Sequence, residues 1–493
     1  MRSKVRHIAI LIASLCVSTL VKAQVDWVKP AAEIEDAQVV IEKDKVIQLN
    51  GVSRRYEPIP IEIPAVSKVQ APYDIPKVDV PLPPMRIVLR PQTMKPELLQ
   101  KFFWGTVKAG FGNYSSPYFS ASVGTKRSDE ASLNLQLDHL SSGTGPVDGK
   151  NSAAGFTNIV LGGKYFLNNA TLAGKASYGR NAYHFYGYDQ SLTVAPEDIE
   201  QKLNRINAIV SISGNDAESI VDYDFGLSYH YVFDAFETNE SDFGISLGLV
   251  EKPLEPLEIL INVQSDFIGQ SDREVAETKR RYILAKPILG YQWNEFKFSV
   301  GGTYVNENDS LSADKQSHFF PHFGIGYKFN ASHQVNLSYS GTVERVTLRE
   351  LYGDNLFLAA HVGVNHNINP VSLHLGANGS FGSRFGYKIG VQYDQFTRKG
   401  YFVNSTADST RFDMVYDQGN SRLTQFYAQL DYTVANTFKL SGRLNTFNYS
   451  TVDIIAPWHK PKLEAILRGH LFLFDKIGTD LAFFYLAGIE APA

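Results

Sequence analysis

The stretch EASLNLQLDHL, Glu130 to Leu140, puts Leu133, Leu135 and Leu137 on one side of an extended chain and Ser132, Asn134, Gln136 and Asp138 on the other. A strand with that alternation needs an apolar medium against one face and water against the other. Two media qualify: the core of a soluble β-sandwich, and lipid.

The start of the chain bears on the choice. Arg2, Lys4 and Arg6 precede an apolar run from Ile8 to Leu20, and Val21-Lys22-Ala23 supplies small residues around a cleavage point. This pattern predicts a secretory signal peptide over residues 1–23, cut before Gln24. Cys16, the only cysteine, lies inside that run after Leu15, where a lipoprotein signal wants a small residue, so it reads as part of the signal. The mature chain then has neither disulfides nor thiolate metal sites. Loss of Arg2, Lys4, Arg6 and Lys22 takes the formal net charge from −4 to −8, and no basic patch points to nucleic acid. No later stretch approaches the roughly 20 apolar residues of a membrane helix, so any crossing must be by strands.

Two regions follow. From Gln24 to Gln100 the chain holds 11 of its 22 prolines, in runs such as EPIPIEIP and VPLPPM, which exclude a regular sheet and predict an extended periplasmic segment. From Lys101 to Ala493 the composition turns to Gly, Tyr, Asn and Ser, with about 19 alternating runs of strand length. Phe243, Ile245, Leu247 and Leu249 alternate with Asp242, Gly244, Ser246 and Gly248. Val335, Leu337, Tyr339 and Val343 alternate with Asn336, Ser338, Ser340 and Thr342.

The polar face selects lipid as the medium, because it repeatedly carries Gln, Asn, Asp, His and Lys. Short turns, as at Leu167–Asn169, Trp293–Glu295 and Asn330–Ser332, alternate with longer segments such as Ser141–Ala154, Arg345–Asn369 and Thr397–Asn420. Transmembrane barrels have this arrangement at their two rims. Aromatics gather near strand ends, at Tyr183, Phe185, Tyr186 and Tyr188 and at Tyr291, Trp293 and Phe296, as membrane girdles do. The predicted fold is all-β, a transmembrane antiparallel β-barrel in the outer membrane of a Gram-negative bacterium. An even strand number and a terminal aromatic are expected of such a barrel, and GIEAPA supplies neither, so further strands, to a total of 22, are expected beyond Ala493.

Five stretches carry a family resemblance: EDAQVVIEKDK (Glu35–Lys45), GFGNYSSPYF (Gly110–Phe119), KYFLNNATLAG (Lys164–Gly174), RELYGDNLF (Arg349–Phe357) and PWHKP (Pro457–Pro461). As an ordered series through the mature chain they resemble the TonB-dependent receptor-like outer-membrane β-barrel proteins. The resemblance implies a 22-stranded barrel and uptake of nutrients such as iron chelates, vitamins or glycans. The chain departs from the receptor pattern at Gln24–Gln100, which is too short and too proline-rich for a plug domain.

Candidate functional residues follow from these readings. Ala37, Gln38, Val39, Val40, Ile41 and Glu42 form a β-branched segment able to add a strand to the sheet edge of a periplasmic protein partner. A short strand that docks on its own barrel or stays disordered is the plainer reading. Gln136, Asp138, Asn262, Gln264, Lys286, Glu344, Gln429, Asp431, Lys439 and Arg443 are the candidate lumen-lining residues.

Gly244-Ile245-Ser246-Leu247-Gly248 matches the nucleophile-elbow pattern, but the alternation runs straight through it, which makes Ser246 an inward small residue and leaves a barrel lipase as the least favoured reading. His318 and His322, and His361 and His366, lack the neighbouring carboxylates of a metal site. No catalytic residue, cofactor or metal is expected. The expected function is passage or uptake of an unknown small-molecule ligand through a porin-like lumen in contact with outer-membrane lipid. The alternative is a non-transporting structural subunit of an outer-membrane assembly or secretion complex.

Overall fold

Period-two alternation broken by turn residues produces strands and little else. The computed structural model describes Pro76 and residues 103–492, apart from 126–127, 190, 192, 215–218, 252–255, 274–276, 311–313, 435–436 and 474–476. The signal segment and Ala37–Glu42 lie outside the described residues.

The chain runs through β1 (Gly105–Gly112), β2 (Ser116–Gly124), β3 (Ala131–Ser142), β4 (Ala154–Phe166), β5 (Ala170–His184), β6 (Glu200–Gly214) and β7 (Val221–Phe233). It continues with β8 (Asn239–Glu251), β9 (Leu257–Ser271), β10 (Thr278–Trp293), β11 (Phe296–Asn308), β12 (Gln316–Asn330) and β13 (His333–Glu344). After a seven-residue helix, α1 (Leu348–Asp354), come β14 (Asn367–Phe381) and β15 (Phe385–Phe396). A separate small hairpin, β16 (Lys399–Asn404) and β17 (Phe412–Asp417), precedes β18 (Ser421–Val434), β19 (Phe438–Ser450), β20 (Leu463–Leu473) and β21 (Ile477–Ala487). Nineteen of these strands form one antiparallel sheet, in which each pairs with the next and β15 pairs with β18 across the hairpin. The sheet matches the strand number read from the alternation. Among the described residues no helix is long and apolar enough to cross a membrane.

The longest connections all fall on one of the two rims. One rim carries short links such as Asn294–Glu295, where Asn294 adopts φ 50°, a left-handed conformation that Asn tolerates in tight turns. The other carries the long segments between β3 and β4, β5 and β6, β13 and β14, β15 and β18, and β19 and β20.

The polarity of the two faces is inverted relative to a soluble protein. Leu135 is 46 % exposed and its cross-strand neighbours Val123 and Leu161 are exposed with it. The fully buried side chains include Arg280, Glu240, Glu307, Gln201 and His366. Apolar residues outside and ionic residues inside describe a wall between lipid and a polar interior. At the short-turn rim the outward aromatics pack as a girdle: Phe296 meets its cross-strand partner Tyr327 at 4.6 Å, and Tyr327 meets Phe329 at 4.7 Å.

Two expectations are corrected. A register shift between Ser340 and Thr342 turns Val343 to the inner side, where it is 1 % exposed and packs with Tyr282, Val305 and Phe320. A bulge changes face parity by one residue, which straight alternation cannot register. Tyr183 and Phe185 likewise belong to a buried inner cluster rather than to a lipid-facing girdle.

Candidate functional site

The longest connection without strands, residues 345–366, folds against the inner wall. Its sequence encodes a helix start: Thr347 is the N-cap, its side chain accepts from the Glu350 N–H, and the Glu350 side chain accepts from the Thr347 N–H. Leu348, Leu351 and Tyr352 fall at helical spacing on one face and are buried. They join Tyr183, Phe185, Ile199, Leu203, Val232 and Leu358 in an apolar cluster on the inner side of the wall. The sheet must curve for this contact to exist. Tyr183 on β5 and the start of β14 are nine strands apart, about 43 Å along a flat sheet at ~4.8 Å per strand. Yet the Tyr183 hydroxyl donates to the Leu356 carbonyl, and the Tyr183 and Phe357 rings stand 5.4 Å apart.

Ionic groups anchor the segment beside the apolar cluster. Arg280 on β10, with a side chain wholly buried, donates to Glu240 Oε2 at 2.5 Å and to the Val346 carbonyl at 2.8 Å. The Glu240 carboxylate on β8 also accepts the first free amides of α1, Leu348 N–H at 2.9 Å and Arg349 N–H at 3.2 Å. Three donors therefore surround one buried anion, which is the condition under which a buried carboxylate is tolerated. Arg345 reaches Asp242 at 3.4 Å, Asp266 at 3.9 Å and Glu350 at 2.9 Å. Further along, Arg398 pairs with Asp309 at 2.8 Å and Glu307 at 3.5 Å and donates to the His366 carbonyl. The wall contributes most of the carboxylates, and the connecting segments contribute Arg345 and Arg398.

Neighbouring long connections complete a cap. Arg411 lies over Phe185 and Phe236 at 4.3 and 4.2 Å, Asp417 accepts the backbone amides of Val452 and Asp453, and Lys460 stands over Phe402. Thus RELYGDNLF forms α1 and its exit, and PWHKP borders the same cluster through His459, whose ring meets Phe412 edge-on.

His366 supplies a pH dependence. Its Nδ1 accepts from the Val346 N–H at 3.1 Å, which requires a neutral ring, and burial followed by the Arg280, Arg345 and Arg398 charges holds its pKa well below the ordinary value. A released segment takes up the proton that the docked one refuses. Docking is therefore fully stable above about pH 6.5 and weakens by up to ~1.4 kcal/mol per pH unit below it. Hydrogen exchange in residues 345–366, corrected for intrinsic rates, is expected to quicken between pH 7.5 and 5.5, and less so in His366→Gln. A pH-independent protection factor in the unmodified chain would refute the linkage.

The residues singled out from the sequence lie mostly elsewhere on the wall. Gln136, Asp138, Asn262, Gln264, Lys286, Gln429, Asp431, Lys439 and Arg443 share the inner side of the sheet. Asp138 accepts from Ser120 and Gln136, Gln264 donates to Asp266, and Asp431 accepts from Gln429 and Ser441. Glu344 falls beyond the register shift at the long-loop rim, bound to Lys399 at 2.9 Å and to Asn367.

Ser246 sits buried in the straight run of β8, without the strand-to-helix turn of a nucleophile elbow. His318 faces Glu307, His322 contacts Ser299, and His361 pairs with Asp272. Alternation reasoning missed Glu240, Arg280 and Arg345, although Thr347-x-x-Glu350 followed by Leu351 and Tyr352 is a legible helix signature.

No family model matches the chain, and no curated protein matches it. Solved structures do. The FrpB iron transporter from Neisseria meningitidis aligns with a TM-score of 0.60 at 9 % identity, over 78 % of this chain and 68 % of that one. The siderophore receptor PirA from Pseudomonas aeruginosa aligns at 0.54 and 9 %, over 78 % and 71 %. The alcaligin outer-membrane receptor FauA from Bordetella pertussis aligns at 0.53 and 10 %, over 78 % and 68 %. The likeness lies in the fold, and it agrees with the resemblance to TonB-dependent receptor barrels read from the sequence.

Proposed function

With a wall built like those of outer-membrane iron and siderophore receptors, we propose that this chain is an outer-membrane β-barrel acting in passage or uptake of a small solute. The observation that carries the reading is the inverted polarity, with Leu135 and its neighbours exposed and Glu240, Asp242 and Arg280 buried. Such a chain is stable with lipid outside and a polar interior, and a polar interior is the path a hydrophilic solute needs. The long-loop rim faces the cell surface and meets the solute, the Gln136 to Arg443 set lines the way through, and the cap narrows one side of it. The segment Ala37–Glu42 contacts a periplasmic protein partner by strand addition.

Reconstituted into planar bilayers or tested by liposome swelling, the full chain is expected to pass small neutral solutes, and a variant lacking residues 24–100 to pass them faster. Absence of flux from both would count against the proposal. The density of fixed bonds across the cap favours one second reading, a non-transporting subunit of a larger assembly. Stoichiometric co-purification of partner proteins, together with absent flux, would favour it.

A further inference from the structure

Four neighbouring strands stop being apolar on their outward side at the same level. Leu137 on β3, Ile159 on β4, Tyr178 on β5 and Ile206 on β6 are successive cross-strand partners on that side. The next outward row toward the long-loop rim is His139, Thr157, Arg180 and Asn204, again partners in succession. A row of large apolar groups followed by imidazole, hydroxyl, guanidinium and amide marks where hydrocarbon gives way to lipid headgroups. Tyr178 sits at that boundary as girdle tyrosines do, between Ile159 and Ile206, with its hydroxyl donating to Asn204 Oδ1 at 2.9 Å.

The polar row is joined side to side and carries positive charge. His139 Nδ1 lies 2.9 Å from Thr157 Oγ1 and its Nε2 lies 3.1 Å from Ser141 Oγ, so the imidazole holds the Thr157 hydroxyl in place beside Arg180. Arg180 is exposed, and among the described residues its guanidinium has neither a hydrogen-bond acceptor nor a carboxylate. Lys202 is the second cation, a diagonal neighbour of Arg180 across the ladder at a spacing that long side chains bridge. Glu200 on the same strand pairs with Lys202 at 2.5 Å and leaves Arg180 uncompensated.

A snorkelling arginine needs only water, but this one stands in a more specific setting. Its planar fork of N–H donors fits a phosphate bidentately, and a hydroxyl and an ammonium stand close to it. The apolar row directly beneath gives the acyl chains of the same molecule a surface to lie on. A free anion would use the polar row alone, and a zwitterionic lipid would bring its own cation against Arg180. An anionic lipid uses both rows.

We propose that His139, Thr157, Arg180 and Lys202 bind the phosphate of an anionic lipid of the outer leaflet, with its acyl chains along Leu137, Ile159 and Ile206. The leaflet rests on the uptake reading, which turns the long-loop rim to the cell surface; the phosphate site does not. Native mass spectrometry of the folded full chain, titrated in detergent micelles with diphosphoryl lipid A or with phosphatidylcholine, tests it. Lipid A is expected to bind at least about tenfold more tightly, and Arg180→Gln to weaken its binding at least about fivefold. Arg180→Lys, which keeps the charge and loses the fork, should fall between. Lys175→Gln removes the same charge from the opposite face of β5 and should leave lipid binding unchanged. Heat-modifiable gel migration confirms that each variant is folded, and Thr157→Val stands in if Arg180→Gln is not.

The proposal is overturned if lipid A binds no more tightly than phosphatidylcholine, or if Arg180→Gln binds it as the unmodified chain does. Displacement of lipid A by excess inorganic phosphate would make this a site for the free anion and overturn the lipid assignment. Bilayer flux is measured separately. Lipid selectivity without flux would sink the uptake reading and keep the phosphate site, whereas flux without selectivity would do the reverse.

Discussion

Glu240→Ala is expected to release residues 345–366 from the inner wall while leaving the nineteen-stranded sheet in place. The substitution removes the only anion bonded to Arg280 among the described residues and the acceptor of two α1 amides. Taking one partner from a buried pair costs about 3–5 kcal/mol, because the survivor remains charged and desolvated. The apolar cluster opposes release, since each fully buried Leu or Tyr-sized side chain contributes roughly 1.5–3 kcal/mol. Release is therefore a shift in population toward the open segment rather than complete loss of contact. Limited trypsin treatment should cut after Arg345 or Arg349 in the variant and spare the unmodified chain, and single-channel conductance should rise. The double variant Glu240→Leu/Arg280→Met, which leaves no orphaned charge, should recover much of the protection. Equal protection of Glu240→Ala and the unmodified chain would mean that the ion pair does not hold the cap.

The second large effect separates the two faces of one strand. Leu135→Arg places a charge among Val123 and Leu161 on the outward side, near the middle of β3. If that side meets lipid, the cost is about 2–4 kcal/mol at the bilayer midplane. Gln136→Arg, one residue on, points to the polar interior and should cost less than about 1 kcal/mol. Folding yields in lipid vesicles, scored by heat-modifiable migration, should fall sharply for the first variant and little for the second. Equal yields would remove lipid as the outer medium and return the soluble β-sandwich to consideration.

The wall was legible because period two is a local property. A one-residue error flips every side chain, so the face assignment of β3, β8 and β14 follows from a few residues each. The cap was only half legible. Thr347-x-x-Glu350 and the 348, 351, 352 spacing announce a helix, but nothing in a linear sequence says that its apolar face turns into a lumen instead of packing on another loop. Glu240 and Arg280 reside in ordinary strand patterns, and their pairing depends on the ladder order from β8 to β10. The bulge at Ser340/Thr342 changed the parity of Val343 and Glu344 for the same reason. Leu140 falls on the side of Asn134, Gln136 and Asp138, an apolar residue out of phase with the leucines before it.

The contact between Tyr183 and Leu356 spans 173 residues of chain, and this separation bears on how the barrel is made. Strands that add one hairpin at a time lay down β5 to β7 long before residue 356 joins them. During that interval Phe185, Leu203 and Val232 face a wet cavity without cover, as a greasy strip inside a half-built wall. Contacts of such sequence separation form late and slowly. The growing barrel therefore passes through a species with an apolar interior, which invites either mispairing or capture by a holding protein. Docking of α1 ends that exposure, so the cap is also the step that converts a sticky intermediate into a finished vessel.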